Sequence, residues 1–97
     1  MAAYMIANLD VRDAKAFEEY RKRVEPIVAR FGGRYIVRGG TMRVLEGDLP
    51  LKRVVLLEFP SVEAAQRFYD SPEYRPVMQI RLDSTKSDVV IVDGYAG

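Results

Sequence analysis

The chain contains no cysteine and no histidine. The first absence excludes disulfides, thiol nucleophiles and cysteine-based metal sites. The second removes the commonest metal ligand and the commonest general base. Any metal would need oxygen ligands alone, and neither a metal nor a cofactor is expected. There is also no excess charge of one sign. Fifteen basic and fourteen acidic residues interleave to a formal net charge of +1. A nucleic-acid footprint needs clustered Lys and Arg, so no nucleic-acid partner is expected. No apolar run approaches the roughly 20 residues that span a bilayer, so no membrane role is expected. The chain begins Met1-Ala2-Ala3-Tyr4 without a basic stretch ahead of an apolar one. That start does not read as a signal peptide, and a cytoplasmic location is the default expectation.

Within these bounds, 97 residues with 48% hydrophobic and 30% charged composition read as one globular domain over 1–97. A chain this short buries a modest share of its surface, so its stability margin is thin. Dimerisation is one way to add apolar burial.

The periodicities give an order of elements. Tyr4 to Leu9 reads as a strand with apolar residues in both alternating sets. Asp13 is suited to cap a helix on which Phe17, Tyr20, Val24, Ile27, Val28 and Phe31 share one face. Glu18–Lys22 and Glu19–Arg23 pair on the opposite face. Pro26 should kink this helix near Lys22, and Gly32-Gly33 should stop it. Arg34 to Arg38 is extended, and so is Thr41 to Glu46. Gly39-Gly40 between them is either a hairpin turn or a bulge that bends one long strand. Gly47-Asp48-Leu49-Pro50 is the stronger turn, which favours the bent strand. Arg53 to Phe59 is a nearly continuous apolar strand ended by Pro60. Ser61 caps a short helix bearing Val62, Ala65, Phe68 and Tyr69. Ser71-Pro72-Glu73 restarts helix with Tyr74, Val77, Met78 and Leu82 as its stripe. Asp88 to Asp93 forms the last strand.

The order β-α-β-β-α-β with two right-handed crossovers predicts an α+β domain of ferredoxin-like topology: a four-stranded antiparallel sheet with helices on one face. Strands apolar on both faces would leave the other face as an exposed patch. A second copy packed sheet against sheet would cover it, so the expected partner is the chain itself.

Read in order, Tyr4–Asp10, Phe17, Tyr20, Gly32–Tyr35, Arg38-Gly39-Gly40, Leu45-Glu46-Gly47, Glu58–Ser61, Tyr69–Tyr74 and Ile91–Gly94 make the chain resemble the domain of unknown function 1330 family. That family is similar to the dimeric α/β-barrel superfamily. The resemblance implies the topology above and a homodimer, and it implies no reaction. Relatives on this fold include cofactor-free monooxygenases, lactone isomerases and haem enzymes. The haem branch needs an axial ligand, normally histidine, which this chain lacks.

Several residues could carry chemistry. A turn centred near Leu49–Pro50 places Glu58 opposite Arg38 to Thr41. An acid on an apolar strand needs a partner, and Arg38 is the natural one. The pair either lines a pocket, with Arg38 gripping a ligand carboxylate and Glu58 acting as base, or is a structural ion pair beside a bulge. Tyr69, Ser71 and Tyr74 either orient a substrate or are core aromatics beside an N-cap. Asn8 either faces a ligand or satisfies backbone, at the sheet end away from Glu58. Arg81 either reaches the Tyr69–Tyr74 region or an acid such as Asp88, or snorkels to the surface. The ligand-binding candidates are therefore Arg38, Glu58, Tyr69, Ser71, Tyr74 and Arg81. Glu58 and Tyr74 are the candidates for catalysis. The functional expectation is a homodimer that binds a small anionic or aromatic molecule. The alternatives are a cofactor-independent isomerase or monooxygenase and a purely structural dimer.

Overall fold

A computed structural model of the chain describes residues 1–96. The elements run β1 (Ala3–Val11), α1 (Ala14–Arg30), β2 (Arg34–Arg38), β3 (Val54–Phe59), α2 (Val62–Asp70), α3 (Tyr74–Ser84) and β4 (Thr85–Asp93). The four strands form one antiparallel sheet in the order β2-β3-β1-β4. This is the ferredoxin-like arrangement expected, with the second helical stretch split in two.

The helix boundaries follow side-chain chemistry. Asp13 Oδ1 accepts the Ala16 N–H at 3.1 Å and caps α1. That helix runs through Pro26 to Arg30. Gly32 then takes a φ of +80°, and the Gly32 and Gly33 amides return to the carbonyls of Ala29 and Val28. Ser61 Oγ accepts the Ala64 N–H at 3.0 Å at the start of α2. Ser71 Oγ donates to the Phe68 carbonyl at 2.9 Å and accepts the Tyr74 N–H at 3.1 Å. One hydroxyl thus closes α2 and opens α3. The first helical residue of α3 is Tyr74, because Pro72 and Glu73 form a turn before it.

Strand alternation sorts the sheet into two faces. Met5 and Leu9 of β1 and Leu57 and Phe59 of β3 are buried against the helices, with Val89 and Ile91 of β4 packed beside them. The aromatic centre of this core is Phe68, whose ring centroid lies 5.4 Å from that of Phe59 and 4.4 Å from that of Tyr74. On the other face, Tyr4 and Ile6 stand beside Glu58 and Leu56 on one side and Val92 and Val90 on the other. Val90 is 56% exposed and Val92 47%. The apolar second face expected from the strand patterns is present and uncovered.

Four local expectations differ from the structure. Thr41 to Glu46 is not a strand: β2 ends at Arg38, and residues 39–53 form a loop. The irregularity in β2 lies between Tyr35 and Val37, not at Gly39-Gly40. Leu82 is 49% exposed, and the buried stripe of α3 is Tyr74, Val77, Arg81 and Ser84. β4 also begins at Thr85, before Asp88, because α3 passes directly into it.

A slot between sheet and helices

The bulge in β2 decides which arginine faces the core. Side chains alternate along a strand, so residues 34 and 38 would normally share a face. The extra residue between Tyr35 and Val37 reverses the alternation. Arg34 then stands opposite Glu58 on the outer face, and Arg38 stands opposite Val55 on the helix side. The expected Arg38–Glu58 pair therefore does not form. Glu58 is bound by Arg34 Nε at 2.7 Å and by the Tyr4 hydroxyl at 3.2 Å. The Arg34 hydrogen bond is the main reason its carboxyl titrates below the ordinary value.

Arg38 instead borders a slot between sheet and helices. Apolar walls come from Ala7, Val24, Val55, Leu57 and Phe68, with the rings of Phe17 and Tyr35 beside them. The cavity amounts to about 40 Å³. The slot is narrow: that volume suits a few waters, and a ring enters only as the walls part. Four arginines line it, namely Arg21, Arg38, Arg53 and Arg81.

The buried end is polar. Tyr20 and Tyr74 bring their hydroxyls to 2.8 Å. Arg81, 3% exposed, directs Nε to the Tyr74 hydroxyl at 3.4 Å and donates to Ser87 Oγ at 2.5 Å. Its nearest hydrogen-bonding partners are thus neutral. Burial works against the Arg81 charge, but the neighbouring Tyr74 oxygen favours it, with smaller contributions from Tyr20 and Tyr69, and the net direction is upward. Burial pushes the Tyr20 phenol well above its ordinary value, and the Tyr74 hydroxyl adds to this.

The mouth is rich in guanidinium groups. Arg38 lies over the Tyr35 ring at 4.1 Å, pairs with the Glu25 carboxylate and donates to the Arg21 carbonyl at 3.1 Å. Arg53 lies over the Phe17 ring at 5.4 Å. Arg21 pairs with Glu18 at 3.0 Å. Among the described residues, the Nε atoms of Arg21 and Arg53 are buried without a hydrogen-bond partner. Arg53 titrates below its ordinary value because of burial first, then the charges of Arg21 and Arg38. Burial also raises the Tyr35 phenol, to about 12.

Of the residues expected at a site, the slot brings together Arg38, Tyr74 and Arg81. Glu58 stands on the opposite sheet face. Ser71 is buried and engaged by the two helix ends. The Tyr69 ring lies 6.0 Å from that of Tyr74, tilted against it, but opens onto a separate depression beside Gln66 and Val90. Asn8 holds the loop, its side chain bonding the Pro50 carbonyl and the Lys52 N–H. Sequence reasoning missed Tyr20, Arg21 and Arg53. It placed Tyr20 in the core stripe and had no signal for the arginines. For Arg81 a signal existed: Tyr74, Val77, Arg81 and Ser84 recur at spacings of three, four and three, which puts the arginine on the buried side of α3. Among the described residues no group of acids could hold a metal ion, and no helix is long and apolar enough to cross a membrane.

Comparison with known proteins agrees with the fold. The model of a domain of unknown function (DUF1330) matches residues 2–95. No curated protein matches the chain. Among solved structures, a protein of unknown function from Rhodopseudomonas palustris superposes with a TM-score of 0.80 at 21% identity, covering 99% of this chain and 84% of that one. SnoaB, a cofactor-independent oxygenase from Streptomyces nogalater, gives 0.67 at 14% identity, covering 99% and 95%. A dimeric ferredoxin-like protein of unknown function from Jannaschia gives 0.66 at 14% identity, covering 97% and 100%. At these identities the likeness is one of fold.

Proposed function

The chain belongs to the DUF1330 family, and with that as premise we propose that it is a homodimer that binds a small anionic or aromatic molecule in the slot between its sheet and its helices. The observation that carries this reading is the lining of the slot: apolar walls, four arginines and a buried hydroxyl pair around one narrow space. Ligand sites are commonly apolar clefts with a few convergent polar groups. Arg81 is 3% exposed and hydrogen-bonded to neutral groups, a placement that costs hydration and that a core built only for stability does not need.

The dimer part rests on the uncovered sheet face. Ile6, Val90 and Val92 are exposed on the side away from the helices. A second copy packed on them would remove this area from water, and the dimeric protein from Jannaschia shares the fold. Light scattering at micromolar concentration should return twice the chain mass, and Val90→Asp should return it once. A single-chain mass for the parent protein overturns the dimer.

For the ligand, crystals soaked in a mixed metabolite pool should show density in the slot, lost in Arg38→Ala crystals. Density confined to other surfaces overturns the reading. A second reading uses the same space. Arg81 beside two phenolic hydroxyls in apolar surroundings could hold a developing oxyanion, as a cofactor-independent oxygenase or isomerase requires, and SnoaB shares the fold. Product formation from a bound aromatic substrate, lost in Tyr74→Phe, would carry it. Binding without turnover leaves ligand holding alone.

A further inference from the structure

We infer that the ligand of the slot is a monocarboxylate on a flat apolar body, and that its carboxylate displaces Glu25 from Arg38 at the mouth. This rests on the binding role proposed above and adds the ligand's chemistry and a competitor built into the protein.

The mouth collects guanidinium groups from three separate parts of the chain: Arg21 on α1, Arg38 on β2 and Arg53 just ahead of β3. Two of them lie over aromatic rings, Arg38 over Tyr35 at 4.1 Å and Arg53 over Phe17 at 5.4 Å. Their directions are thus set before any ligand arrives. Two carboxylates answer these three cations: Glu18 pairs with Arg21, and Glu25 pairs with Arg38. Among the described residues Arg53 has no carboxylate, and its Nε, like that of Arg21, is buried without an acceptor. A buried donor left unpaired is unfavourable, and one planar oxyanion reaching both Nε groups would remove the deficit. With Glu25 turned away, the three cations face Glu18 alone, an excess of two charges that a bound carboxylate reduces. A carboxylate matches the fork of a guanidinium in shape.

Glu25 already presents such a group to Arg38. Its side chain is 59% exposed, so it can turn to water when a ligand takes its place. The interior is narrow, and a flat body is the shape that enters it with the least displacement of sheet and helices. At the inner end the Tyr20–Tyr74 hydroxyl pair can accept or donate one hydrogen bond, which favours a ligand with an oxygen opposite its carboxylate.

The test is an NMR titration of the ¹⁵N-labelled protein, following the arginine Nε–H signals. The probes are benzoate, 4-hydroxybenzoate and 4-hydroxycinnamate, each with its neutral primary amide. The Arg21 and Arg53 Nε–H signals should shift with the acids. The acids should bind about tenfold tighter than their amides, the size expected for charge-assisted hydrogen bonds. Glu25→Gln should tighten the acids about threefold or more and leave the amides unchanged, as removal of a partly exposed competing charge predicts. Arg53→Gln should abolish the preference for acids. Arg30→Gln, which breaks only the surface pair with Glu73, should alter nothing. Equal affinity for acids and amides, with slot signals moving, overturns this inference and leaves the binding role standing. Acid affinity unchanged or weakened in Glu25→Gln overturns the competitor. No binding across the whole series overturns both the inference and the binding role.

Discussion

Replacing Tyr74 with phenylalanine removes one oxygen and deprives two neighbours of a partner. The Tyr74 hydroxyl lies 2.8 Å from that of Tyr20 and 3.4 Å from Arg81 Nε, on a residue 3% exposed. Leaving a buried polar group without its partner costs about 1–3 kcal/mol. Tyr74→Phe should therefore destabilise by about 2 kcal/mol, since the Arg81 contact is long and contributes little. Tyr20→Phe removes the same hydroxyl pair but leaves Tyr74 beside Arg81, and should cost about 1 kcal/mol. If the two hydroxyls acted independently, the double variant would lose about 3 kcal/mol. They share one hydrogen bond, so the double variant should lose about 2 kcal/mol, a coupling of about 1 kcal/mol. For a chain of 97 residues, each kcal/mol moves the melting temperature by roughly 4–8 °C. Thermal unfolding followed by circular dichroism resolves such differences. Protein concentration must be fixed, because the midpoint of a dimer moves with it. Additive single variants, or a Tyr74→Phe protein within about 0.5 kcal/mol of the parent, would refute a buried hydroxyl pair.

Other consequences are open to direct measurement. Tyr35 has its pKa raised to about 12 by burial, and burial raises that of Tyr20 as well. The folded state keeps both protonated where the unfolded chain has lost those protons. Stability is therefore full below about pH 10 and falls as pH rises toward 12, by about 3 kcal/mol for Tyr35 alone; an unfolding series that stays flat from pH 9 to 11.5 would count against both burials. In Gly39→Ala, the new Cβ would sit at a φ of +70° and close on the Arg53 guanidinium. A loss of about 1–2 kcal/mol should accompany a shifted Arg53 Nε–H signal, while Gly40→Ala, which meets no atom within 4 Å, leaves that signal in place. The Glu58 carboxyl is held low mainly by Arg34, so its contribution is present above the ordinary glutamate range and lost as pH falls through the folded value. Glu58→Gln should flatten that acid limb without touching slot binding; a loss of binding would contradict its place on the outer face.

How much of this was legible beforehand can be argued residue by residue. Phe17, Tyr20, Val24, Ile27 and Val28 announced α1 through spacing alone, and all are buried. The strand alternation in β1, β3 and β4 announced a sheet with two apolar faces. Those patterns are local and depend on the fixed geometry of helix and strand. The site was less accessible because it depends on register. A bent strand returning through a turn at Leu49–Pro50 would place Glu58 opposite the stretch from Arg38 to Thr41. The observed pairing leaves residues 39–53 as a loop and sets Glu58 opposite Arg34, and one extra residue near Ile36 turns Arg38 to the helix side. Neighbouring residues give little warning of a bulge, because its position is settled by how β2 fits β3.

Sequence by itself therefore determined the order of elements, the face α1 turns inward and the presence of a second apolar sheet face, since each follows from a repeat within one segment. It also determined that neither thiol nor imidazole chemistry is available. Only the tertiary structure decided that Arg21, Arg38, Arg53 and Arg81 meet around one slot with Tyr20 and Tyr74. Those residues come from α1, β2, the loop ahead of β3 and α3, far apart in the chain. Their convergence depends on strand pairing, on one bulge and on helices closing over the sheet, and no repeat within a single segment encodes it.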